Sequence, residues 1–455
     1  MKRSLGKFDI FAIVLGAIIG WGSFMLPGTK FLKEAGVINT ALGLILGAIC
    51  IILIEKNYAV MINSQDEEGG EFSYTYNNMG KKHGFIVGWF LILAYLSMIP
   101  LNATAFPLVV KKLIGPVFEV GYLYTIAGYD VYLGEIILST FIICLFAYVN
   151  IKGISGTSKI QNIIIMALIS SVSIVFIGMV FKGDKTTFMN NYISNYKFDL
   201  GGIAKVFSIT PFAFIGFDAI PQLSKEFKFS KKKASFVAIV SLLIGTLIYN
   251  LLNIITALAF SPSEAVTLDW AAGSAVIQVL GKWAFLLLII ALCAAVWSGI
   301  NGFMICSSKL LGSIAKYGLV PSSIGNINNS GVFNNSIKFV TIVSLVAPWF
   351  GREVIIWIVD MSSLGAAIAY FYVSYISIKK VKTKGGKLIG CIGVAISILF
   401  MLLLLVPISP AALGIEPIVA LIMWSCLGII FYRVKIGKRI YKFKLLQLCI
   451  KLELN

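Results

Sequence analysis

Apolar runs long enough to cross a bilayer follow one another along almost the whole of this 455-residue chain, with only short polar links between them. A helix of about 20 apolar residues spans the hydrocarbon core. Inside that core every backbone N–H and C=O must be paired within the protein, which leaves helices as the natural solution. Crossings are expected near 8–32, 37–62, 84–113, 132–151, 160–181, 202–224, 234–260, 281–309, 337–350, 353–378, 388–407 and 411–432. Composition agrees: 58% hydrophobic, 13% charged and a mean hydropathy of +0.92, against about 45–50% apolar and about 25% charged in soluble domains. The expected fold class is an all-α integral membrane protein of about twelve transmembrane helices.

The links exclude several functions. The longest, 63–83, 182–201 and 310–336, leave no room for a soluble domain, so the work is done within or across the bilayer. The basic start "MKRSLGKFDIFAIVLG" looks like a signal peptide, but no small-residue cleavage site follows, and an uncleaved first span is expected. The seven cysteines show no CxxC or other ligand spacing and read as small hydrophobes. No metal or cofactor is expected.

The formal charge of +18 is a topology signal rather than a sign of nucleic-acid binding. With an even number of crossings both termini share a side. If that side is cytoplasmic, most lysines and arginines fall inside, among them "KEFKFSKKK", "KKVKTKGGK" and the basic tail over 433–455. A multi-pass protein of the cell membrane with both termini cytoplasmic is expected.

Two spans are built of poor helix formers. "GAIIGWGSFMLPG", Gly16 to Gly28, holds Gly16, Gly20, Gly22, Pro27 and Gly28, at about 1 kcal/mol for each interior glycine and about 3 for the proline. "SITPFAFIGFDAIPQLSKEF", Ser208 to Phe227, holds Pro211, Gly216, Asp218 and Pro221. Within them "IIGWGS" and "FIGFDA" align at an offset of 196 residues and, five spans apart, cross in opposite directions. Paired interrupted helices in inverted halves are how transporters build a midplane site, and the first span is expected to be two helices with Gly20 to Ser23 unwound between them. Freed N–H groups at a half-helix start suit a carboxylate, and freed carbonyls at a half-helix end suit an ammonium. Amino acids carry both charges on one carbon.

Further stretches carry a resemblance. "EEGGEFSYTYNNMGKKHGFIVGW" (Glu67–Trp89) and "NGFMICSSKLLGSIAKYGLVP" (Asn301–Pro321) join the two broken spans in the order found in the amino acid, polyamine and organocation transporter superfamily, and the chain resembles its amino acid permeases. The resemblance implies five plus five inverted spans with two added at the C-terminus: repeats over 1–181 and 182–380, spans eleven and twelve over 381–432, then the tail. The drive, a proton gradient or exchange, is expected from the transporter reading and is not carried over from the family; the resemblance implies alternating access, with the substrate carboxylate near Gly20, Gly22 and Ser23. It places the amine near the carbonyls of Ala17, Ile18 and Phe214, and Phe212 as a lid. Departures from the family pattern are Trp21 where a small residue is usual, Leu168 where some proton-coupled members carry lysine, and Ser224-Lys225-Glu226 in place of a second glutamate.

Individual residues are weighed as follows. Asp218, costly near a bilayer centre, is expected to sense protons or the substrate amine, with an N-cap role for the second half-helix as the alternative. Gly16 and Gly20 form a GxxxG that packing alone would explain; Gly22 and Pro27 add breaks that packing does not require. Trp21, Phe212, Gly216, Phe217 and Phe303 are candidate pocket or gate residues, and Asp360 is a candidate outer gate or a partner of Arg352. Glu55 falls inside span two, with marking its cytoplasmic end beside Lys56 as the alternative; His83 reads as a solvated loop residue, and Ser298, Ser307 and Ser308 as helix serines rather than sodium ligands. The expected function is secondary transport of an amino acid. A polyamine or amino alcohol importer is the alternative within the class and a non-transporting nutrient sensor the one outside it. An enzyme is not expected, since no His or Cys cluster or paired intramembrane carboxylates appear.

Overall fold

The computed structural model describes residues 4–65, 67–194, 196–409 and 411–453, with side chains described through Val434 except at 154 and 155. The side chains of the basic tail from 435 onward, Cys449 among them, lie outside the described residues. Among the described residues nine helices are long and apolar enough to cross a membrane, and a tenth crossing is a bent pair, Lys7–Ile18 with Trp21–Ala35, whose axes differ by 51°. In chain order the main helices are α1 (Lys7–Ile18), α2 (Trp21–Leu26), α3 (Ile38–Ser64), α4 (Gly70–Met79), α5 (Lys81–Ile114), α6 (Leu133–Lys152), α7 (Ile154–Lys182), α8 (Leu200–Ala213) and α9 (Ala219–Leu223). They continue with α10 (Ala234–Ala257), α11 (Ala271–Leu280), α12 (Lys282–Lys316), α13 (Asn334–Val346), α14 (Gly351–Lys380), α15 (Lys384–Leu405) and α16 (Ile415–Glu453).

Three expected crossings take other forms. The segment expected over 202–224 is the short pair α8 and α9, joined by turns at 214–218. The ninth and tenth expected crossings pass the length test together as 334–380, but a 3₁₀ turn at Ala347–Phe350 separates α13 from α14. Pro348 removes a donor there, and Gly351 turns the chain at φ +75. That turn touches Ile126 at one end of the molecule, while Ser377 at the other end of α14 donates to Asn57 Oδ1 at 2.5 Å.

A hairpin, β1 (Tyr122–Ile126) with β2 (Tyr129–Tyr132), departs from the all-helical expectation. Its tight turn uses Ala127 and Gly128, both at positive φ, the twist that two-residue hairpin loops need.

α1 is buried on all sides from Ala12 to Ile18, packed against α7, α10 and α12; a helix surrounded by protein needs no polar face. The periphery is apolar instead, with Ile163, Phe181, Phe236 and Trp283 largely exposed, as suits a surface solvated by lipid. Neutral polar groups fix α1 in place. Asn150 Nδ2 donates to Asn301 Oδ1 at 2.9 Å, Asn301 Nδ2 to Gln161 Oε1 at 2.8 Å, and Gln161 Nε2 to the Ala12 carbonyl at 3.0 Å. Ser298 Oγ donates to the Gly16 carbonyl at 3.1 Å, one of the last four carbonyls that a helix end leaves unpaired.

The N-terminal face is closed. The Ser4 and Leu5 N–H groups donate to the Glu226 carbonyl at 3.0 Å, the Lys228 N–H donates to the Leu5 carbonyl at 2.9 Å, and Leu5 is fully buried. Beside this patch the carboxylate of Glu226 and the ammonium of Lys309 form a buried ion pair.

Candidate functional site

α1 stops at Ile18 and α2 starts at Trp21, so the chain is unwound only at Ile19 and Gly20. The expectation of a longer opening, Gly20 to Ser23, is corrected: Gly22 and Ser23 are helical, and a side chain from α5 pairs the first N–H of the new helix. Asn102 Oδ1 accepts from the Trp21 N–H at 3.3 Å, and Ser23 Oγ donates to the Gly20 carbonyl at 2.8 Å. Such an end leaves first-turn N–H groups without helical partners and carries the positive pole of the helix dipole.

The second break runs through turns at Phe214–Asp218. Gly216 sits at φ +118, and a Cβ there would lie 2.5 Å from Ala17 Cβ and 3.2 Å from the Ile18 nitrogen. Only glycine allows both that backbone angle and that approach. The two breaks therefore touch directly, backbone to backbone.

Between them lies a cavity of about 30 Å³ lined by Ala17, Ile18, Gly20, Trp21, Gly22 and Phe212, with Met98, Leu101, Asn102, Ile215, Tyr249 and Phe303 completing the wall. That is room for a couple of waters. On the side away from the N-terminus lies a vestibule of about 410 Å³, bounded by Lys30, Glu34, Lys205, Asp360, Phe212 and the 411–414 loop among others. Phe212 belongs to both walls and divides them. Lys205 is paired with Glu34 at the rim.

The glycines divide by role. A Cβ on Gly16 would fall 2.2 Å from Gln161 Nε2 and 2.7 Å from Ser298 Cβ, so Gly16 is a packing residue. A Cβ on Gly22 would meet nothing closer than Phe212 Cε1 at 3.6 Å, so neighbours do not dictate glycine there.

Other expected residues are placed as follows. Phe303 lines the central cavity and Asp360 the vestibule. Phe217 lies outside the cavity wall, its ring 5.3 Å from those of Tyr58 and Tyr370. The Phe214 carbonyl accepts from the Phe217 N–H at 3.5 Å. Asp218 is fully buried and stands at the N-cap of α9 without a side-chain cap bond; its Oδ1 accepts from the Gly216 N–H at 2.9 Å, while its Oδ2 is buried without a partner. Arg352 is not the partner of Asp360. Its Nη1 donates to the Leu101 carbonyl and to Thr104 Oγ1, each at 3.0 Å, and its guanidinium lies 5.1 Å from the Trp21 ring centre. Ser298, Ser307 and Ser308 all donate to backbone carbonyls. His83 is not a loop residue: it lies in the first turn of α5, half-buried, its Nδ1 2.9 Å from the Tyr372 hydroxyl. Among the described residues no group of His, Cys, Asp and Glu could hold a metal ion.

The amino acid permease family profile matches residues 5–431, nearly the whole chain. The chain belongs to the amino acid permease family. Its relatives include a branched-chain amino acid permease of Bacillus subtilis, 24% identical over 95% of this chain and 92% of the relative. A methylthioribose transporter of the same organism is 26% identical over 56% of this chain and 55% of its own length. The mouse large neutral amino acids transporter small subunit 2 is 24% identical over 72% of this chain and 61% of the relative.

Sequence reasoning missed several groups that this permease places around the site. Asn102 is one asparagine in the apolar third span, and nothing in its neighbourhood marked it as the group that holds the first break. Glu71 lies in the quoted "EEGGEFSYTY" stretch, where it read as loop; it is fully buried, and its Oε2 accepts from Gln222 Nε2 at 2.8 Å, close behind the second break. Glu226 was noted only as a departure from the family pattern, yet it makes the buried pair with Lys309. A carboxylate directly after the glycine pair Gly69-Gly70 was the available signal for Glu71.

Proposed function

We propose that this permease is a secondary active transporter of neutral amino acids that works by alternating access, with proton coupling or exchange supplying the drive. The observation that carries the reading is the meeting of the two breaks at one cavity, where Gly216 packs on Ala17 and Ile18 while Gly20 and Gly22 open onto the same space. A helix start and a helix end facing a space of that size suit the opposite charges of an α-carboxylate and an α-amine. The closed N-terminal face and the vestibule on the other side fit the outward-facing member of an alternating pair, with Phe212 as the lid.

In this reading the chain crosses the cell membrane twelve times with both termini cytoplasmic. Residues 1–181 and 182–380 form the two inverted repeats, and residues 381–432 add the last two crossings. Asp218 is the coupling group, since its unpartnered buried oxygen suits a proton. Among the described residues no carboxylate side chain lines the central cavity, which disfavours a polyamine or other multiply charged amine. Uptake of a panel of labelled amino acids and amines into proteoliposomes, with and without an imposed pH gradient, tests the reading. Neutral amino acids accumulate under the gradient or by exchange; a panel in which no amino acid moves overturns it.

A further inference from the structure

Trp21 is the one residue, among those described, that lines both the central cavity and a second cavity beside it. The second cavity holds about 140 Å³, its apolar wall made by Leu108, Val109, Trp270 and Leu292, with Lys112 and Asp269 paired across its mouth at 2.9 Å. The indole is therefore a partition: on one side the backbone groups that suit the α-carbon substituents, on the other an apolar space of the kind a long side chain would enter. The partition is braced. Arg352 is 6% exposed, lies 5.1 Å from the Trp21 ring centre and is tied by two 3.0 Å bonds to α5, at the Leu101 carbonyl and at Thr104 Oγ1. A desolvated guanidinium over an indole face is a favourable stack, and the planar fork that holds both the ring and the carbonyl is a property of arginine that lysine does not share.

We propose that Trp21 is the size filter of the substrate site, restricting the permease to small neutral amino acids such as alanine and serine, and that Arg352 is the positioning residue that keeps the filter shut. The proposal rests on the amino acid reading above and adds the side-chain class. Arg352 touches Trp21 and α5 rather than the cavity, so its part is to hold the ring against rotation into the 140 Å³ space. In an apolar pocket each methylene changes discrimination by roughly 10–200-fold, so admitting three more carbons has a large, readable effect.

The experiment compares kcat/KM for labelled alanine, serine, leucine and phenylalanine in proteoliposomes of the wild type and of Trp21→Ala, Trp21→Phe, Arg352→Gln and Arg352→Lys. In the wild type alanine and serine exceed leucine and phenylalanine. The leucine-to-alanine ratio rises by about tenfold or more in Trp21→Ala and by less in Trp21→Phe. It also rises in Arg352→Gln, with Arg352→Lys between that variant and the wild type. Should Trp21→Ala not reconstitute, the same ratio is read from leucine- and alanine-induced Tm shifts of purified Trp21→Phe. A wild type that takes leucine or phenylalanine as well as alanine overturns the size filter, as does a ratio unchanged in both Trp21 variants. An unchanged ratio in Arg352→Gln overturns the positioning role alone. A wild type that moves no amino acid at all is a different result and removes the transport reading instead.

Discussion

Gly16 and Gly22 lie six residues apart in one motif and answer to different demands. A methyl group at Gly16 would collide with Gln161 and Ser298, both buried, and overpacking of that kind costs about 1–3 kcal/mol. Gly16→Ala is therefore expected to lower the Tm of the purified protein. At Gly22 a methyl group meets only Phe212 at contact distance, so Gly22→Val is expected to fold with a near-native Tm yet lose substrate binding, because its branched side chain occupies the cavity. Equal Tm losses in the two variants, or full binding by Gly22→Val, would contradict this division. The glycines were legible in the sequence as breakers. Which of them served packing was not, because that depends on Gln161 and Ser298, 145 and 282 positions away. Trp21 was legible as an oddity of size, but its brace was not: the sequence offered Asp360 as a partner for Arg352, and the arginine instead reaches across to α5.

At the scale of elements, the two broken helices were visible from glycine, proline and the shared "IIG" and "FIG" segments, while the extent of unwinding was overestimated. A free helix start is costly, and Asn102 and Ser23 shorten the opening to two residues. The first half of the second broken span, α8, carries Phe212 near its carboxy-terminal end, where it lines both the vestibule and the cavity as the proposed lid. Phe212→Ala would join the two spaces, so bound alanine is expected to dissociate about tenfold faster with the Tm little changed; an unaltered dissociation rate would show that the lid lies elsewhere.

The linker helix α4 makes a separate prediction. Burial pushes the Glu71 carboxyl well above the usual carboxylate range, and the nearby Asp218 charge pushes it the same way. Because the folded-state value is raised, the neutral form is favoured by folding: its stabilising share is complete below the ordinary carboxylate pKa of about 4.3 and is lost as pH rises through the raised value. Glu71→Gln keeps a neutral group there at every pH. The Tm of the wild type is expected to fall more steeply than that of Glu71→Gln between about pH 5 and pH 9, and parallel profiles would show that Glu71 is not held neutral.

For the whole molecule, the membrane class, the helical fold and the family were legible because lipid imposes one hydrophobic length on every crossing and the motifs occur in order. The hairpin was overlooked because the eleven residues between "VG" and "LG" lie among spans whose hydropathy dominates the reading. The closure of the N-terminal face was invisible for a different reason: it pairs Leu5 with Phe227, backbone to backbone, and Glu226 with Lys309, contacts across more than eighty residues with no local signature. Together these contacts shut one face while the vestibule leaves the other accessible as far as Phe212; in the proposed reading a substrate's α-carbon lies between the ends of the two half-helices. That claim, recognition of both α-groups by backbone, is tested most directly by competition against labelled alanine binding to the purified protein, using alanine, alaninamide and N-acetylalanine. The account predicts that alanine competes and that each analogue, having lost one of the two charges, is weaker by at least about a hundredfold, the scale on which a site with unpaired buried polar groups rejects a substrate that lacks their partner. Competition by alaninamide or N-acetylalanine as strong as that by alanine would contradict it.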